Sequence, residues 1–281
     1  MSSPSVAHTE VSRFKESKTE IESDLLAVEE PMEIRLGYGK GSTRKQKTVS
    51  VTMRTPGHDF ELAVGFLYTE GILTSRDEVD HIRYCFDEGE QEQENIVRVE
   101  LREDIEPNLD SLQRNFYMSS SCGVCGKASI ESIETTNNCP ILPKNSPVVS
   151  AEWIQSLPDQ LRQAQLVFEH TGGLHAVGLF NSDGKLLYLR EDVGRHNAFD
   201  KTIGAAFLED RLPLFNGIAL VSGRASFELV QKAVMGGIPI MAAIGAPSSL
   251  AVQLAKDFNL SLIGFLKSNR MNLYTGKQRI Q

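Results

Sequence analysis

Cysteine is scarce here, with 4 among 281 residues, too few for the dense disulfide sets that hold small secreted domains together. No apolar run approaches the roughly 18 to 20 residues of a membrane-spanning helix, so a soluble protein is expected. The opening stretch, MSSPSVAHTEVSRFKESKTEIESD, has neither an apolar core nor a cleavage-site pattern. Nothing in it directs secretion, and cytoplasmic residence is expected. Thiols stay reduced there. Positive charge is also short: 29 Lys and Arg face 37 Asp and Glu, for a net charge of -8. That balance argues against a protein that coats nucleic acid, but it leaves room for a local basic pocket that takes a phosphorylated ligand.

What is present is an ordinary globular composition, 41% hydrophobic and 23% charged, with length enough for a large core. The reading is an α/β protein of two unequal parts. Residues 1–28 are polar and without a convincing period, and are read as a disordered tail. Residues 29–114 form a small β-rich α+β N-terminal part. Within it Val49, Val51 and Met53 alternate with Ser50, Thr52 and Arg54, the period of a half-buried strand. Asp59 reads as a helix cap ahead of Phe60, Ala63, Val64 and Leu67, with Gly71 as the stop. Further strands are expected around Tyr84 and Val99, separated by the acidic turn DEGEQEQEN.

Residues 115–150 read as a mobile loop and linker that carries Cys-x-x-Cys, with Pro140, Pro143 and Pro147 discouraging regular structure. Residues 151–281 read as an α/β domain. It opens with a helix from Trp153 to Glu169, followed by AVGLF and KLLYLR around NSDG, a hairpin. Then GIALVS, IPIMAAI and LSLIGFL, strands buried on both faces, alternate with SFELVQKAVMGG and SSLAVQLAKDFN at helical spacing. That pattern predicts a β-α-β-α-β wind with a parallel sheet.

In such a wind, loops leaving the carboxyl ends of the strands line one crevice. Three qualify: SGRAS (222–226), GAPSS (245–249) and KSNR (267–270). Two lead into helix N-termini, and Arg224, Lys267 and Arg270 are suited to phosphate oxygens, with Ser222 and Ser226 beside them. A second cluster, REDVGRHNAFDK (190–201), follows a strand and puts His196 and Asp200, and Asn197 and Lys201, four apart on a helix face. A salt-bridged surface helix competes there with a site that includes His196. His175 alone reads as a satisfied core histidine.

The pair Cys122 and Cys125 in MSSSCGVCGK admits three readings: half a zinc site, a disulfide or a reactive sulfur carrier. Cys85, Cys139, His175 and His196 lack the paired spacing of a four-ligand zinc site. A zinc deaminase would need His-x-Glu and Pro-Cys-x-x-Cys, but Ser121 stands where the proline belongs. A thioredoxin-like pair would follow a buried strand, and Met118, Ser119 and Ser120 form none. A thiol nucleophile remains. A helix opening at GKASIESIE, together with Lys127, would favour its thiolate, and Gly123 and Gly126 would let the loop move.

SCGVCGK, TGGLHA, REDVGRHNAFDK, SGRASFELVQKA, LAVQLA and GFLKSNRMNLYTG, in this order, resemble the FdhD family of formate dehydrogenase accessory sulfurtransferases, from about residue 30 to 276. The resemblance implies a sulfur relay. A cysteine desulfurase would load a persulfide on Cys122, and Cys125 would assist. The chain would then pass the sulfur to molybdenum in the bis-molybdopterin guanine dinucleotide cofactor, as formate dehydrogenase requires. The family's cofactor-binding segment maps to Phe265, Leu266, Lys267, Ser268, Asn269 and Arg270. The implied fold is a cytidine-deaminase-like three-layer α/β/α domain joined to the smaller β-rich part, and the implied assembly is a homodimer. A chaperone that holds the cofactor without moving sulfur is the competing function.

Overall fold

The computed structural model describes residues 4–15, 18–85, 94–109 and 140–281. Cys122, Cys125 and the helix expected after them lie outside these residues, as does most of the acidic turn.

Chain pairing begins earlier than the sequence predicts. Strands β1 (Val6–Lys15) and β2 (Lys18–Ala27) form an antiparallel hairpin in register from Val6 opposite Ala27 to Lys15 opposite Lys18, in place of the expected disordered tail. Glu22 takes ion pairs from Arg13 and Lys15 across the ladder. The apolar period is missing because neither face is sealed, with Phe14 79% and Ile21 75% exposed. Backbone pairing between the two segments, rather than an apolar stripe, makes the strands.

The next part is a four-stranded sheet of β3 (Glu30–Tyr38), β4 (Lys45–Arg54), β5 (Val79–Tyr84) and β6 (Ile96–Leu101), in the order β4-β3-β6-β5. β3 and β6 run parallel, and the outer pairs are antiparallel. Met32, Ile34 and Leu36 alternate inward along β3, as period two requires. Helix α1 (Asp59–Thr69) follows β4. Asp59 does not cap it: His58, at φ 58, holds that position. Asp59 is instead buried against Arg54, with Nε–Oδ1 at 3.1 Å and Nη2–Oδ2 at 3.0 Å. A guanidinium with no access to water needs such an acceptor.

The last part is a six-stranded mixed sheet of β7 (His175–Asn181), β8 (Leu186–Asp192), β9 (Gly217–Val221), β10 (Ile240–Ala243), β11 (Ser261–Lys267) and β12 (Arg270–Leu273), ordered β12-β11-β10-β9-β7-β8. The expected wind is present: β9, β10 and β11 are parallel, linked by α5 (Phe227–Met235) and α6 (Ser249–Asp257). β7 and β8 form the expected hairpin. The helix expected from Trp153 to Glu169 is two helices, α2 (Ala151–Ala164) and α3 (Leu166–Thr171). Glu191 of β8 accepts from Val167 N and Phe168 N, which supplies a fresh N-terminal anchor for the second.

Both faces of this sheet are covered. Ala176, Phe180, Ile218, Leu220 and Ile263 pack with Leu157 and Leu161 of α2. Val177, Leu179, Ala219 and Met241 face the other way, toward α4 (Arg195–Leu208), α5 and α6. This second core runs on without a break into Met32, Leu36, Val97 and Leu67 of the first part. Helices α1 and α4 make the join, so the two parts share one hydrophobic interior.

Candidate functional site

The first two predicted loops lie side by side, and the end of β11, which leads into the third, joins them. Gly245 N donates to Gly223 O (3.0 Å), Ala225 N to Ala246 O (3.1 Å), Ser248 N to Ala225 O (3.0 Å) and Phe265 N to Gly245 O (3.0 Å). Gly245 permits this approach, since a Cβ there would lie 2.9 Å from Gly223 O and 3.0 Å from Arg224 Cα. Helices α4, α5 and α6 all begin along this edge, each after a strand end. Three positive helix termini therefore flank one crevice.

Each predicted crevice residue has a definite place, while Cys122 and Cys125 lie outside the described residues. Arg224, Lys267, Ser268, Asn269 and Arg270 are exposed at the loop tips. Leu266 is not: at 0% exposure it belongs to the core under α2, so its side chain is withdrawn from any ligand. Phe265 is 41% exposed and has φ 53, an uncommon left-handed backbone for a bulky residue. The β11–β12 register shifts between Gly264 and Lys267, which turns Phe265 outward and Leu266 in. Ser222 is occupied by the fold, its Oγ accepting from Ala176 N at 2.9 Å. Ser226 caps α5 by position, and its Oγ lies 3.4 Å from His196 Nε2.

Helix α4 is not the salt-bridged surface helix that its charges suggest. Asp200 and Lys201 are buried, and each takes a partner from another element or turn. Asp200 pairs with Lys232 of α5 at 2.8 Å and accepts from Thr69 Oγ1 at 2.8 Å, while Lys201 pairs with Asp192 at 2.7 Å. Only the first turn of α4 reaches the crevice, with Arg195 and His196. Arg195 was not singled out from the sequence, although it sits directly after a helix-opening glycine. Its Nε is buried and has no protein partner among the described residues.

His175, expected in the core, borders the same place. A Cβ on Gly223 would lie 3.4 Å from His175 Nδ1 and 3.9 Å from Arg195 Cδ. Burial lowers the His175 pKa, Arg195 adds to this and Asp192 opposes it. Burial also takes His196 down to about 4, helped by the charges of Arg195 and Lys232 and opposed by Glu228. At neutral pH two uncharged imidazoles thus stand beside Arg195 in the crevice. Glu228 stays ionised: burial resists this, but its own backbone N–H, Ser226 and the charge of Arg195 outweigh it.

Behind His196 opens a cavity of about 420 Å³ between β4, α1, α4 and α5. Val51, Met53 and Phe66 line its apolar side, and Asp200, Glu228 and Lys232 its polar end. Lys232, buried against Asp200, was also missed. No helix among the described residues is long and apolar enough to cross a membrane.

The chain is 52% identical over 261 residues to the sulfur carrier protein FdhD of Mycolicibacterium paratuberculosis, covering 92% of each chain. It is 47% identical over 273 residues to the sulfur carrier protein FdhD of Streptomyces coelicolor, covering 96% of this chain and 94% of that one. In structure it matches a Desulfotalea psychrophila protein assigned as a formate dehydrogenase accessory protein, with a TM-score of 0.75 over 99% of this chain and all of that one. At 23% identity that match speaks for the fold alone. The family model for FdhD/NarQ covers residues 27–281, and the chain belongs to the FdhD/NarQ family.

Proposed function

We propose that the chain is a sulfurtransferase that carries sulfane sulfur on Cys122 and delivers it to the molybdenum of a bis-molybdopterin guanine dinucleotide, the form that formate dehydrogenase requires. In loading, the Cys122 thiolate attacks the outer sulfur of a desulfurase persulfide. A new S–S bond forms at Cys122, and the donor leaves as its thiolate. Cys125 assists in loading or release. The metal complex is the substrate, and it sits in the crevice for the length of the transfer. The cysteine desulfurase and the formate dehydrogenase apoenzyme are the protein partners, the working form is a homodimer, and the place of action is the cytoplasm. The fold is read as cytidine-deaminase-like, three layers with a β-rich addition.

The observation that carries this reading is that three helix N-termini, with Arg195, Arg224, Lys267 and Arg270, follow strand ends along one edge of the sheet. Pyrophosphates of a guanine dinucleotide need that kind of seat. The names of the relatives, sulfur carrier proteins, support the cargo. The Phe265 ring, exposed at the surface, would stack on a base of the cofactor.

Incubation of the full chain with a cysteine desulfurase and cysteine, followed by intact mass measurement, tests it. A carrier gains one sulfur, released by a thiol reductant and absent from Cys122→Ala. A chain that gains none while still binding the cofactor is the cofactor-holding chaperone instead.

A further inference from the structure

Asp192, at the end of β8, is 0% exposed, and donors surround it. Lys201 Nζ lies 2.7 Å from Oδ2, to which Thr55 N also donates at 3.2 Å. Gly194 N and Asn197 Nδ2 donate to Oδ1 at 2.8 and 3.1 Å. Lys201, 1% exposed, donates onward to Thr55 O at 2.8 Å. Val193 N donates to Thr55 Oγ1 at 3.2 Å, and Asn197 Nδ2 to Met53 O at 2.7 Å. The end of β4, in the first sheet, is thereby tied to the turn that opens α4 in the second part. That turn carries Arg195 and His196 into the crevice.

A buried ion pair contributes little net stability compared with a well-packed apolar pair, but it holds its donors in one geometry. We propose that Asp192 is a positioning residue of the crevice: neutralised by Lys201, its carboxylate binds the β4 end to the first turn of α4 and so sets where Arg195 and His196 stand. The binding part of this inference rests on the crevice being a pyrophosphate seat; the geometric part does not. His196 reports the geometry. It faces Arg195 on its own helix, Lys232 and Glu228 on α5, and His175 on β7, and its titration depends on how deeply it stays buried among them.

Four full-length chains decide the matter: wild type, Asp192→Asn, the double variant Asp192→Asn with Lys201→Met, and Arg224→Ala. Each is measured for thermal unfolding, for inorganic pyrophosphate affinity by calorimetry, and for the His196 midpoint by NMR. Asp192→Asn strands the Lys201 charge and unfolds earlier, while the double variant removes both charges and regains stability. If the role were only structural, binding would return with stability. Positioning keeps pyrophosphate affinity roughly tenfold or more below wild type in the double variant, and moves the His196 midpoint up from about 4 toward the ordinary 6.5. An unmoved His196 midpoint in a stable double variant overturns the proposal. A wild-type chain that ignores pyrophosphate, with Arg224→Ala no different, sinks the seat reading instead and leaves His196 to decide. Should neither aspartate variant fold, Asn197→Ala, which cuts the ties to Asp192 and Met53, is judged by the same midpoint.

Discussion

Gly65 of α1 and Gly204 of α4 meet backbone to backbone. A Cβ on Gly65 would fall 1.9 Å from Asp200 O and 2.8 Å from Gly204 N, and a Cβ on Gly204 would fall 1.8 Å from Glu61 O. This crossing joins the first part of the chain to the second and sets α4, whose first turn enters the crevice. Gly65→Ala therefore forces the helices apart, at a cost of about 2 to 3 kcal/mol. Urea denaturation measures it, and a loss below about 0.5 kcal/mol, the range of ordinary surface changes, would contradict the packing.

Adjacent residues of the proposed binding segment should respond oppositely. Leu266 is in the core, so Leu266→Ala costs about 2 to 5 kcal/mol of stability. Phe265→Ala leaves the core intact and removes an exposed ring, so it changes stability little but weakens guanine nucleotide binding. Thermal unfolding and nucleotide titration of both variants separate the two roles. The prediction fails if Phe265→Ala is the less stable one.

Arg224 is at the tip of its loop and exposed. A charge-assisted bond to phosphate is worth about 1.5 to 3 kcal/mol, so Arg224→Ala should weaken pyrophosphate binding by about tenfold or more. Binding should also decline with rising salt. Equal affinities at low salt would remove Arg224 from the seat.

Stability should depend on pH through His196. Its folded pKa is about 4 against 6.5 for the unfolded chain, so between these values the unfolded state binds more protons. Stability from this residue is full above 6.5 and is lost as pH falls toward 4. His175, lowered in the same direction, adds to the effect. Glu61 and Glu100, lowered below 4.5 by arginine partners against the opposing effect of burial, lose their contributions at still lower pH. His196→Gln should flatten the upper part of the curve in a pH series of chemical denaturation; an unchanged slope there would refute the assignment.

Much of the second part was legible in its residues. GIALVS, IPIMAAI and LSLIGFL read as strands because both of their faces are buried, which leaves an unbroken apolar run, and the crevice followed from topology once those strands were placed. The β1–β2 hairpin was not legible, since its faces are open to water and stamp no period on the sequence. Leu266 entered the binding segment with its neighbours through the family resemblance, and no local pattern announces the bulge that turns its side chain inward. Lys201 belonged to a cluster in which a salt-bridged surface helix and a site stayed in competition, and Lys232 carried no signal, because their anionic partners Asp192 and Asp200 come from other elements or turns.

The sequence alone determined the order of the strands and helices in the wind, its strand-end loops and the family motifs, because these are local: periodicity, turn residues and short runs of letters. The tertiary structure decided which charged side chains are buried, that Arg195 and His175 join the crevice, and that β4 holds α4 in place. Burial and long-range pairing depend on residues as far apart as Thr55 and Asp192, and only the folded chain brings such residues within reach of each other.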